Sequence, residues 1–156
     1  QTTDVPTEFK EVVFPGADRK ATDFYPRGTR AIQLFDSAVG SNFLKTFGRN
    51  PREITCECER SNEPSMVQVL HISNGNTIND KIAAKDGRVT QLLASGKSNA
   101  ELIDEVYLTC LSRTATEKER QGLLEILEAA PKEERRLVIE DLFWAIMSSR
   151  EFLFNH

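Results

Sequence analysis

Residues that build metal and redox centres are scarce in this chain: three cysteines and two histidines among 156 residues. Zinc takes four ligands, commonly Cys or His in C-x2-4-C spacing, and only Cys110, His71 and His156 stand beside Cys56 and Cys58 to complete a set. Cys110 falls on an apolar helical stripe, where a free cysteine behaves as a small hydrophobe, so no metal or other cofactor is expected. There is no Cys-x-x-Cys and no Cys-x-x-Cys-His, which argues against the common dithiol redox motif and against covalently attached haem. Apolar runs are short, and none approaches the roughly 20 residues that cross a bilayer. A surplus of Lys and Arg is also missing: the net charge is −4, whereas phosphate backbones are bound by excess positive charge, so nucleic acid is not an expected partner. The opening QTTDVPTEFKE lacks a basic stretch followed by an apolar one, the pattern of a signal peptide. Because it starts at Gln1 rather than Met, the chain is expected to be processed or a piece of a larger protein, and its compartment stays open.

What is present suits one globular domain over residues 1–156, with 39% hydrophobic and 28% charged residues. The first sixty residues are near charge balance, and acids outnumber bases from Glu101 onward, which places any basic patch in the N-terminal half. Residues 1–40 contain Pro6, Pro15 and Pro26 with Pro-Gly and Pro-Arg-Gly turn signals, predicting a loop-rich segment that wraps a helical body at 41–156. RAIQLF, residues 30–35, reads as one short strand, and at most one or two short strands are expected. Ser41 caps a short helix carrying Phe43, Leu44 and Phe47 and closed by Gly48. Pro64 suits the first turn of the next helix, and two short helices follow over TINDKIAAK and GRVTQLLAS.

The C-terminal third is the most regular. Ser98–Glu101 and Thr116–Glu119 are capping boxes, in which the first side chain and the fourth satisfy each other's free backbone donors. Ile103, Val106, Tyr107, Cys110 and Leu111 share one helical face, Leu123, Leu124, Ile126 and Leu127 follow the second box, and Pro131 opens a last helix reaching Phe152. The fold class is therefore mainly α, a small helical bundle whose last three helices bury their faces on one another.

Candidate chemistry gathers at CECERSNEPS. Cys56 and Cys58 can form a strained i,i+2 disulfide, cycle as a redox pair or stay reduced and packed, and these readings remain open. Glu57, Glu59, Arg60 and Glu63, with His71 beyond, form either an ion-paired turn or a paired-carboxylate site, and the turn is the simpler reading. His71 is expected near the end of a helix, partly buried and favouring the helix dipole, since no matched nucleophile is identifiable. Arg113 should sit at a helix end, beside the last carbonyls. Phe14, Phe24, Tyr25, Phe35, Phe43 and Phe47 are expected to pin loops to the core, a sugar or peptide platform being the alternative. No residue is assigned a catalytic role.

Read together, YPRGTRAIQL, FLKTFGRNPRE, CECERSNEPS, DGRVTQLLASGKS, VYLTCLSRTATEKE and DLFWAIMSSREFLFNH resemble the C-terminal region of the planctomycete-type domain-of-unknown-function family 1553, from about Pro26 to His156. The resemblance implies a piece of a large exported protein that carries a cytochrome c-like domain and a second domain of unknown function upstream. It also implies an extracytoplasmic location, periplasmic or secreted, where a Cys56–Cys58 disulfide would persist. It supplies no activity. The expected role is a non-catalytic structural or interaction module contacting upstream domains of the same polypeptide, another protein, or a glycan. The alternatives are part of an extracellular polysaccharide-acting enzyme using Glu57, Glu59, Arg60 or His71, and a Cys56–Cys58 relay beside the cytochrome-like domain.

Overall fold

The computed structural model describes residues 2–14, 17–34, 38–49, 66–74 and 76–153, and these form two compact units. The larger comprises residues 1–5 and 75–156, the smaller residues 6–74. The chain is mainly helical with one small sheet.

In the larger unit, α3 (Asn76–Ile82), α4 (Arg88–Ala94), α5 (Asn99–Leu111), α6 (Glu117–Ala129), α7 (Arg135–Met147) and α8 (Arg150–Leu153) form the bundle. Helix α5 starts where its sequence says it should. Ser98 Oγ accepts from the Glu101 N–H and Glu101 Oε2 accepts from the Ser98 N–H at 2.8 Å, closing the capping box. It stops at Ser112, whose left-handed backbone (φ 57°) ends the helix. Its stripe of Ile103, Val106, Tyr107, Cys110 and Leu111 is buried against Ile139, Leu142, Phe143, Ile146 and Met147 of α7 and Leu127 of α6, with Ile103 at 0% exposure. The 3.6-residue repeat thus becomes the core.

Two boundaries correct the sequence reading. Pro131 does not open α7: residues 131–134 make a turn closed by Glu134 N–H to Pro131 O at 3.0 Å, and the helix begins at Arg135. Nor does α7 run on to Phe152. It ends at Met147, and the Ser149 side chain accepts from the Phe152 N–H at 3.2 Å to start α8. Serine competes for backbone groups this way, and a Ser148-Ser149 pair is a natural break. Residues 2–5 are fixed to this unit by Arg88 N–H to Thr3 O (3.0 Å), the Arg88–Asp4 ion pair (2.9 Å) and Lys81 Nζ to Val5 O (2.8 Å).

In the smaller unit, β1 (Glu11–Val12) pairs antiparallel with β2 (Lys20–Ala21), and Val12 bridges Val39 on the other side. Phe9, Tyr25, Leu34 and Val39 make a core of their own, with Leu44 of α1 (Asn42–Thr46) packed on it. Ser41 caps α1 by accepting from Leu44 N–H at 3.3 Å, as its sequence predicts. The expected strand at RAIQLF is instead a 3-10 turn over Ala31–Gln33. Its donors are used locally: Gln33 N–H to Arg30 O at 2.8 Å, and Arg30 N–H to the Gln33 side chain at 2.7 Å. Arg49 clamps this turn, donating to Ala31 O and Leu34 O at 3.3 and 3.1 Å. Helix α2 (Met66–Asn74) joins α1 through Gln68 Nε2 to Thr46 O at 3.0 Å.

Candidate functional site

Of the residues singled out from sequence, Cys56, Glu57, Cys58, Glu59, Arg60, Glu63 and His156 lie outside the described residues, as do Pro64 and Phe35. His71 is described. It occupies the last turn of α2, half-buried, with its ring centroid 5.4 Å from Phe43 and 6.1 Å from Phe47. Phe43 and Phe47 also pack on each other at 4.6 Å, so the three rings form one aromatic cluster joining α1 and α2. The imidazole ring thus packs with two phenylalanines, a role open to a residue with an apolar body and one wettable end.

Cys110 is buried and free, and burial pushes its thiol up to about 12. The thiolate is the reactive form, so this group is inert at neutral pH. Among the described residues no three His, Cys, Asp or Glu side chains gather as metal ligands would, and no helix is long and apolar enough to cross a membrane.

Arg113 follows the C-cap of α5, at a helix end as expected, but it does not serve the last helix carbonyls. Its guanidinium instead grips two carboxylates: Nε and Nη2 donate to Glu151 at 2.6 and 2.8 Å, and Nη1 and Nη2 donate to Glu119 at 3.0 Å each. Nη1 also donates to Thr114 O, and the plane lies 5.1 Å above the Tyr107 ring centroid. Every N–H of the fork is engaged. The pairing holds Glu119 down to about 2, helped by the Thr116 hydroxyl, and lowers Glu151 as well. This clasp ties the end of α5 to the start of α6 and to α8, and with no donor left over it is structural.

Both units expose large apolar side chains, Leu108, Ile126, Leu137 and Trp144 in the larger one, and in the smaller unit they gather on one helix. Helix α2, MVQVLHISN, contains no Asp, Glu, Lys or Arg, yet exposes Met66 (73%), Val67, Val69 and Leu70 (55%). Positions 66, 69 and 70 share one side of a helix, while Gln68 and His71 meet α1. The lack of charge across nine residues was the signal in the sequence: a helix apolar on more than one side is a buried helix. The same unit exposes Phe24 and Ile32 and holds an open depression of ≈580 Å³ lined by Lys10, Ala21, Thr22, Asp23, Tyr25 and Pro26. Tyr25 is buried and Phe9 meets it edge-on at 6.4 Å, so Tyr25 pins its loop as expected, whereas Phe24 and Phe14 do not.

A family model described as PSD1, protein of unknown function (DUF1553), matches residues 6–127, well over half of the chain. The chain belongs to this family. In this DUF1553 protein the match takes in the whole smaller unit and residues 75–127 of the larger one, close to the end of α6. The family description assigns no activity. No curated protein and no solved structure matches the chain significantly.

Proposed function

We propose that this DUF1553 chain is a non-catalytic interaction module of a larger exported, extracytoplasmic polypeptide, and that residues 6–74 supply its contact surface for neighbouring domains of that polypeptide. The observation that supports this reading is α2: four apolar side chains exposed on a helix without one formal charge. Surface helices facing water carry charged residues on the outer side, and contiguous exposed apolar side chains on a soluble protein mark places where another surface sits. A neighbouring domain covers such a face by burying it, at about 25 cal/mol per Å² of apolar surface removed from water.

The test is carbene footprinting of the isolated chain and of the full-length polypeptide. Met66 and Leu70 should be labelled strongly in the former and protected in the latter, with Leu70→Asp abolishing the protection. Equal labelling in both states overturns the contact surface. A product released by the isolated chain from a panel of glycans and esters overturns the non-catalytic part.

A further inference from the structure

The hydrogen bonding of the small sheet leaves one edge open, and its pattern shows which backbone groups face outward. Thr22 N–H donates to Lys10 O at 2.7 Å, and the register sets Glu11 opposite Ala21 and Val12 opposite Lys20. In an antiparallel ladder, hydrogen-bonded and non-hydrogen-bonded pairs alternate. Lys10–Thr22 and Val12–Lys20 are therefore the bonded pairs, and Glu11–Ala21 is not. The other side of β1 agrees: Glu11 O accepts from Gly40 N–H at 2.9 Å and Val13 N–H donates to Ala38 O at 2.6 Å, so Glu11 turns its groups towards residues 38–40. Strand β1 is thus paired on both sides. Ala21 points its N–H and C=O away from β1, and neither is hydrogen-bonded among the described residues.

This free donor and acceptor open beside the depression, whose lining includes Ala21 itself with Thr22 and Asp23. The edge is flanked by Lys20 on one side and Asp23 on the other, both exposed and neither in an ion pair among the described residues. We propose that the edge of β2 at Ala21 is a docking strand for an extended polypeptide segment, which pairs its backbone with Ala21 and sets side chains of opposite sign against Lys20 and Asp23. A backbone donor and acceptor presented together match another backbone, as in strand addition, where main-chain bonds give affinity and flanking side chains give selectivity. One lysine on a short edge is also how sheets discourage pairing with themselves, so the depression next to Ala21 is what favours an occupant. The inference rests on the reading of residues 6–74 as a contact surface but uses a different element from α2.

The probe is a capped hexapeptide with the sequence of residues 9–14, FKEVVF, which already pairs with the inner edge of β2 and carries one charge of each sign. Titrated into the ¹⁵N-labelled 156-residue chain, it should shift the Ala21 and Asp23 amides and slow exchange of the Ala21 amide proton. Ala21→Pro removes a donor that the internal ladder does not use, and proline is tolerated on an outward-facing edge. It should weaken binding about tenfold or more, as expected for loss of a backbone bond at a strand-addition site. Ala21→Gly keeps the donor and should bind like the native chain. Unchanged β1 amide shifts confirm that the proline variant keeps the sheet. No binding at millimolar peptide, shifts that map away from β2, or native affinity in Ala21→Pro each overturn the proposal. None of these outcomes touches the protection of Met66 and Leu70, so failure here is separable from failure of the α2 contact.

Discussion

Replacing Arg113 with alanine should destabilise the larger unit by about 1–2 kcal/mol. The figure follows from the contacts. Arg113 forms forked pairs with Glu119 and Glu151, and the three side chains are 33%, 34% and 47% exposed. At that exposure solvent screens the Glu119 pair to about 0.5–1 kcal/mol. The guanidinium over Tyr107 adds about 0.5–1 kcal/mol. Lysine keeps the charge without the fork, so Arg113→Lys should recover less than half of the loss. Urea unfolding at pH 7, followed by the fluorescence of the single tryptophan, Trp144 on α7, reads the change within this unit. With a slope of about 1–3 kcal/mol per molar urea, the midpoint should fall by about 1 M. Acid gives a second reading. The clasp holds Glu119 at about 2 and lowers Glu151, below the usual unfolded value of about 4.3. A carboxylate depressed in the folded state stabilises fully above its unfolded pKa, and that contribution is lost as pH falls through the folded value. Native protein should therefore lose stability between about pH 4.5 and 2, and Arg113→Ala should show a shallower loss there. A midpoint shift under about 0.3 M, or an unchanged acid profile, would refute the clasp as a stabilising element.

Phe143, 1% exposed in the core of the larger unit, should cost about 3–5 kcal/mol when cut to alanine, read by the same urea titration; a cost near 1 kcal/mol would mean that the site collapses around the gap. Cys110 should resist iodoacetamide at pH 8 in the folded chain and react once urea exposes it, since burial keeps its thiol protonated. Rapid labelling without denaturant would show that the α5–α7 packing opens readily. If the polypeptide is exported, Cys56 and Cys58 should be oxidised, so that intact-mass analysis of unreduced, denatured chain shows one alkyl group rather than three.

Some of this architecture is legible in the sequence because it is local. A capping box spans four residues and an apolar stripe a few turns, so the start of α5 and its buried face follow from Ser98 to Leu111 alone. Where sequence reasoning erred, a local competitor was hidden in plain residues. Gln33 folds back on the Arg30 N–H and turns an apparent strand into a 3-10 turn. Ser148-Ser149 ends α7 without proline or glycine. The Arg113 clasp was not readable, because Glu151 is 38 residues away and only the packing of α8 brings it within 2.6 Å. Edge geometry at β2 was likewise invisible, since which residue faces outward depends on a register that two-residue strands do not announce.

The contrast between α6 and α2 carries the functional argument furthest. Helix α6, EKERQGLLEILEA, buries Leu127 and partly Leu123 and Leu124, exposes one large apolar side chain, Ile126, and carries four acids and two bases, as a helix with one face in water does. Helix α2 has the same need for a wet side if water is its lasting surroundings, and its sequence supplies only Gln68, His71, Ser73 and Asn74. Of these, Gln68 and His71 are turned to α1 and so cannot solvate the outer face. Met66, Val67, Val69 and Leu70 are exposed there, a set that is stable against another protein surface and costly against water. At Ala21 the same unit presents a strand edge that is unpaired among the described residues, and both features gain from a polypeptide neighbour.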